Sequence, residues 1–272
     1  MNLYRIYELL YYRFIGKNKL AVPTNNRDKK LLIIANGPSS KDFIDRLQIR
    51  DDNTEYLCMN NLCYEEQENF WKIKPKYYCA IDPTYWLNQP QYKHIIEGFM
   101  GAMEKVDWDM YLITSAMGSL KINNPHIHMI YITPVEICGN KPWMQYLYKR
   151  NWSMPSMMNV SIAAVYFGVT WQFSEVRFVG IEFTNFTSIH VNKDNRIYLG
   201  DCHSYGKDII YEDTSWYFGK VTDFWKVCIT VFDAFTAIRD LAEKEGIKMI
   251  NLSPESMLDM FPKENYEEFL NV

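Results

Sequence analysis

This sequence has no Cys-x-x-Cys pair, no excess of positive charge, no internal repeat and no low-complexity tract. Nor does it have an apolar run of the roughly 18 to 20 residues that a membrane span requires. Each absence excludes something. The six cysteines (Cys58, Cys63, Cys79, Cys138, Cys202 and Cys228) lie mostly within apolar runs. They read as reduced thiols, small buried hydrophobes of a cytoplasmic protein, and not as a disulfide framework. A net charge of −4 gives the chain no electrostatic case for nucleic-acid binding. The first residues lack a clean apolar core followed by a small-residue cleavage site, so no signal peptide is expected. A hydrophobic content of 48% excludes disorder, and 272 residues suffice for one large α/β domain or two small ones. Aromatics are plentiful, with 20 Tyr and 8 Trp. Most of these fill core and surface, but rings with polar edges also suit sites that stack bases or sugars.

The sharpest local signal is Leu31-Leu32-Ile33-Ile34-Ala35 running into Asn36-Gly37-Pro38-Ser39-Ser40. A continuous aliphatic run closed by a turn predicts a buried parallel strand. The amphipathic segment from Lys41 to Ile49 predicts a helix after it. Pro38 suits the first helical turn, Ser39 or Ser40 is expected to cap it, and Gly37 allows close approach of a ligand to the backbone. Strand, tight turn and helix start together make a seat for an anion such as a nucleotide phosphate.

The rest of the chain alternates. Strands are expected at 55–60, 76–82, 110–114, 127–132, 176–181 and 248–252. Helices are expected at 90–104, at 156–168 with Gly168 as its C-cap, and at 222–245 with Gly246 ending it. This alternation predicts an α/β fold, a mostly parallel sheet with helices on both faces. In such sheets ligands bind beyond the carboxyl ends of the strands. Asn36, Asn60, Asp82, the Gly180-Ile181-Glu182 turn and Ser253 are therefore the first candidate binding residues. Asn and Asp also favour turns by bonding their own backbone, so each alone is ambiguous. Residues 184–222 read as a lid-like insertion in a domain spanning 31–272, with a hairpin at 189–199 and two of the five histidines, His190 and His203. A loop histidine can act as a general base, with an ordinary surface residue as the alternative.

Residues 1–30 form a basic, aromatic arm. Seven Lys or Arg face Glu8 and Asp28, interleaved with Leu3, Tyr4, Ile6, Tyr7, Leu9, Leu10, Tyr11, Tyr12, Phe14 and Ile15. A helix of this kind either lies on an anionic membrane surface through residues 1–22, or packs on its own domain or a second copy of the chain.

Taken in order, these segments resemble the bacterial sialyltransferases of glycosyltransferase family 42. Asn36-Gly37-Pro38-Ser39 is similar to the family's CMP-binding turn, and Met59-Asn60-Asn61 to its next strand end. Asp82 stands where the family has a donor-binding Asn. Ser156 through Gly168, followed by Gly180-Ile181-Glu182-Phe183, resembles a Thr-Ser-Gly helix and a Gly-Ile-Asp-Phe turn. Cys202-His203-Ser204 resembles the Gly-His-Ser that carries the catalytic base, and Ser253-Pro254-Glu255-Ser256 the last turn. Thr184 stands where the family has a phosphate-binding Tyr. Tyr198, Tyr205, Tyr211 and Tyr217 are the available substitutes. The resemblance implies a GT-A-like nucleotide-binding domain that transfers a sialic-acid-like sugar, with inversion, from CMP-sugar to a hydroxyl of a surface glycan. His203 would be the base and His190 the fallback, and no metal would be needed. Asp107-Trp108-Asp109 has the Asp-x-Asp shape of a metal site, but it precedes a strand instead of following one. A UDP-sugar donor such as UDP-galactofuranose, a pterin pyrophosphokinase-like activity and a non-catalytic binding module remain as alternatives.

Overall fold

The computed structural model describes residues 3–47, 53–65, 67–87, 89–201, 210–214 and 218–270. Seven strands form one parallel sheet: β1 (Lys30–Ile34), β2 (Thr54–Met59), β3 (Tyr77–Cys79), β4 (Met110–Ser115), β5 (Ile127–Ile132), β6 (Glu175–Val179) and, last in the chain, β10 (Lys248–Asn251). Their order across the sheet is β10-β6-β1-β2-β3-β4-β5. Strand β1 thus lies between β2 and β6, pairing Ile34 with Cys58 on one side and with Val179 on the other. From β1 the chain winds outward to β5, then returns to place β6 and β10 on the opposite flank. The boundary between β1 and β6 is the switch point of a doubly wound, Rossmann-like α/β fold.

The aliphatic run of β1 is continuous because both faces of the sheet are covered. Leu31 and Ile33 pack into one core with the helices Val160–Thr170 and Val221–Glu245. Leu32 and Ile34 pack into a second core with Phe43 and Ile44 of the helix Pro38–Arg46, and with Phe99 and Met103 of the helix Lys93–Glu104. Every residue from Ser161 to Thr170 is buried, which explains why that helix is apolar all round.

Gly168 is not a C-cap. It lies inside this helix, which continues to Thr170, and a Cβ there would come within 3.0 Å of Leu31 and 3.1 Å of Val176. Its size lets the helix settle on β1 and β6. The helix also begins at Val160, capped by Asn159, so Ser156 stands ahead of it instead of within it. The sequence cue at Gly246 is met: this residue ends the 25-residue helix in the left-handed conformation, φ 67°.

Within the 184–222 interval, β7 (Ile189–Val191), β8 (Ile197–Asp201) and β9 (Ile210–Asp213) form a three-stranded antiparallel sheet. The β7–β8 hairpin turns at Asn195, whose left-handed φ of 58° suits Asn. Ile197, with Ile189 and Leu199, packs on Phe218, Phe224 and Cys228. The small sheet therefore rests on the first turns of the long helix.

Candidate active site at the sheet switch point

Four segments converge at the carboxyl ends of β1, β2 and β6. Ala35–Pro38, Met59–Asn60, Gly180–Thr184 and Asn159–Ser161 line a cleft of about 160 Å³. A second cavity of about 570 Å³ shares Pro38, Glu182 and Thr184 with it and extends under the small sheet to Ser188 and Gly200. The first alone is below the roughly 300 to 1,000 Å³ of a small-molecule pocket, and the second falls within that range.

The turns after β1 and β6 are stitched together. Ala35 N–H donates to the Val179 carbonyl and Gly37 N–H to the Gly180 carbonyl, both at 2.9 Å. Gly180 adopts φ 78° and faces the Ala35 carbonyl at a distance no side chain would permit. Ser253 Oγ accepts from the Gly180 and Ile181 N–H groups at 2.9 and 3.2 Å, and Ser256 Oγ donates to the Ile181 carbonyl at 2.8 Å. Ser256 is thus buried as a brace for the Gly180-Ile181-Glu182 turn and does not line the cleft.

The anion seat expected at the Pro38 helix is already taken. Neither Ser39 nor Ser40 caps that helix; its N-cap is Gly37, with Pro38 in the first turn. Glu182, buried at 6% exposure, brings its carboxylate to the helix start and accepts from the Ser39 N–H at 3.0 Å and from the Ser39 hydroxyl. A carboxylate here meets the free N–H groups and partial positive charge of the helix end. Gly37 therefore makes room for Glu182: a Cβ at this position would collide with its carboxylate and lie 2.5 Å from the Gly180 carbonyl oxygen.

A different helix start faces the cleft. Asn159 caps the helix Val160–Thr170, its side-chain oxygen accepting from the Ser161 N–H at 2.8 Å and the Ser161 hydroxyl at 2.7 Å. Asn159 and Ser161 were not among the residues expected from the sequence. The signal for them was an Asn two residues before a Ser at the head of an apolar helix.

Asn36 and Asn60 carry the most informative chemistry. Both line the cleft, and the side-chain Oδ1 of each is buried without a hydrogen-bond partner among the described residues. A buried acceptor without a partner costs about 1 to 3 kcal/mol, so two on residues that line one cleft suit a ligand that brings its own donors. Asn60 is held there by its backbone. It sits in the left-handed region at φ 51°, and Tyr78, fully buried, donates its hydroxyl to the Asn60 carbonyl at 2.7 Å.

Other expected residues lie elsewhere. Asp82 is exposed, and its carboxylate accepts from the Thr84 N–H at 2.8 Å, the local turn bond that Asp favours on its own account. Ser156 donates to Glu136 at 3.0 Å and does not line the cleft. His190 lies exposed on β7, stacked on Tyr198 with ring centroids 5.2 Å apart. It lines neither cavity. Asp107 pairs with Lys74 at 2.9 Å, while Asp109 faces His128 at 3.3 Å. Among the described residues no group of three His, Cys, Asp or Glu is placed to hold a metal ion. His203, Tyr205 and Tyr217 lie outside the described residues.

The lining of both cavities contains no Lys or Arg among the described residues. Charge stabilisation for an anion in the first cleft therefore falls to N–H groups and hydroxyls. No protein-family model matches this chain, and no curated protein matches it significantly.

Proposed function

We propose that this protein is a glycosyltransferase that binds a nucleotide-sugar, most simply a CMP-sugar, and transfers its sialic-acid-like sugar to a hydroxyl of a bacterial surface glycan such as capsule or lipopolysaccharide. The observation that carries this reading is the pair of buried, unpaired carbonyl oxygens, Asn36 Oδ1 and Asn60 Oδ1, in a cleft at the switch point of a parallel sheet. Ribose hydroxyls and a base amino group supply the donors that such a pair requires. The start of the Val160 helix, whose end carries partial positive charge, lies on this cleft and suits the nucleotide phosphate that departs in the transfer. Asn159 already takes the Ser161 N–H and hydroxyl, so the remaining N–H groups of the first turn are the donors in this reading. The second cavity suits the acceptor. Its lining holds the carboxylates Glu182 and Glu255 and an Asp42 already paired with Arg46 at 3.2 Å, with no Lys or Arg in the lining itself among the described residues, which favours a neutral or amino sugar over an acidic one.

In this reading a base takes the acceptor proton as its oxygen attacks the anomeric carbon, and the nucleotide leaves from the opposite face with inversion. His203 is assigned that role from the resemblance, and no metal is invoked. The reading places the protein on the cytoplasmic side of the membrane, in keeping with the free, buried thiols of Cys58, Cys63 and Cys79.

Thermal unfolding with CMP, UMP and GMP added separately tests the donor class. CMP at about 100 times its Kd adds about 2.7 kcal/mol of apparent stability. A shift with UMP alone moves the reading to a UDP-sugar transferase. A shift with a pterin and none with nucleotides moves it to the pyrophosphokinase alternative. His203→Ala is expected to abolish transfer while keeping the CMP shift, and full transfer by that variant would remove His203 as the base.

A further inference from the structure

The segment ahead of β1 carries a surface that the transfer reading does not use. Residues 3–15 are one continuous helical stretch, α-helical over Leu3–Leu10 and π-helical over Tyr11–Ile15. At successive spacings of four, three and four, Leu3, Tyr7, Leu10 and Phe14 share one face, and all four are exposed, Leu3 at 85% and Phe14 at 70%. Leu9 is the only fully buried residue of the stretch. An amphipathic surface helix normally turns its apolar stripe inward, and this one turns it out. Beside the stripe stand Arg13, Lys17 and Lys19, the two lysines exposed. Between Leu3 and Leu20 four cations meet a single carboxylate, Glu8, inside a chain that is −4 overall.

We propose that this helix docks on an anionic lipid surface, its apolar face in the headgroup layer and Arg13, Lys17 and Lys19 against the lipid phosphates. The charge argues for lipid over a second copy of the chain, because two such helices face to face would oppose like charges. At 13 residues the stretch rests on the membrane without crossing it, and no described helix is long and apolar enough to cross one. The proposal is independent of the donor and of the reaction.

Co-sedimentation of the full chain with vesicles tests it. Binding is expected to vesicles containing phosphatidylglycerol and not to pure phosphatidylcholine. Lys17→Ala with Lys19→Ala is expected to weaken binding roughly 25-fold, about five-fold per cation, and Tyr7→Glu with Phe14→Glu to abolish it. Lys17 and Lys19 are exposed, so their variant is expected to melt at the parent temperature. Phe14 meets the Trp152 ring edge-on, with centroids 6.1 Å apart, so Leu3→Glu, at 85% exposure, serves as the apolar-face probe if the Tyr7 and Phe14 changes lower the melting temperature. Equal binding to both vesicle types, no binding to either, or undiminished binding by the variants would overturn the proposal. So would a dimer in sedimentation velocity that the Tyr7 and Phe14 changes dissolve.

Discussion

Glu182 caps the helix that starts at Pro38, its carboxylate reaching Ser39 N–H at 3.0 Å from 143 residues further along the chain. A side chain of the β6 turn thus fixes the start of the helix after β1, and the two halves of the sheet are tied at their switch point. Removing the carboxylate exposes the helix end. Glu182→Ala is expected to cost about 1 to 2 kcal/mol in urea unfolding, and Glu182→Gln less, since the amide oxygen still accepts the Ser39 N–H. Equal stability of all three forms would show that the contact contributes nothing.

Asn60 separates backbone from side chain. Asn60→Gly keeps the left-handed φ of 51° open and is expected to leave stability within about 1 kcal/mol of the parent, while abolishing the nucleotide-induced shift in melting temperature. Asn60→Ala adds backbone strain of about 1 kcal/mol to the same loss of binding. An undiminished nucleotide shift in Asn60→Gly would remove Oδ1 from the site.

Gly168→Ala reverses the usual helix rule. Within an exposed helix this change stabilises by roughly 0.5 to 1 kcal/mol. Here the added methyl meets Leu31 and Val176 at 3.0 and 3.1 Å, so a loss of about 1 to 3 kcal/mol is expected. A higher melting temperature in the variant would show that β1 and β6 yield to it.

Alkaline pH is expected to unfold the protein through its buried thiols. Burial pushes Cys63 up to about 12, and Cys58 and Cys79 higher still, all from 9.0. Above pH 9 the unfolded chain releases these protons and the folded chain keeps them, so stability falls as pH rises. Each thiol contributes a slope of about 1.4 kcal/mol per pH unit, lost from pH 9 up to its folded-state value. Urea titrations at pH 8 and pH 10.5 read the difference, and Cys79→Ala is expected to shallow the slope even if it lowers stability throughout.

The sheet was legible because period and punctuation agree. The run Leu31 to Ile34, the strand Ile127 to Ile132 and the stop at Gly246 each follow from local rules, and the structure places them accordingly. Asn36, Gly37, Pro38, Asn60 and the Gly180 turn were legible as strand ends and do meet in one cleft. What was not legible depends on contacts between distant segments. That Glu182 fills the helix start at Pro38, and that Gly168 serves helix–strand packing instead of a cap, requires knowing that β6 lies beside β1. Asp82 illustrates the converse: the same residue type at the same kind of position satisfies its own turn and leaves the cleft.

The arm before β1 serves two ends at once. Beyond the helix, Asn18 donates to the Gly118 carbonyl at 3.0 Å, past the end of β4, and Ala21 N–H donates to the Tyr131 carbonyl at 2.7 Å on the outer side of β5. On the far flank Asn251 of β10 is bonded likewise by Pro262 and Glu264. An uncovered outer strand offers a template for strand addition by another molecule. A truncation that stops before Asn18 therefore yields a well-behaved chain without its exposed helix. One that runs on to Val22 removes the Ala21 bond to β5 and is expected to leave that outer strand more open to strand addition.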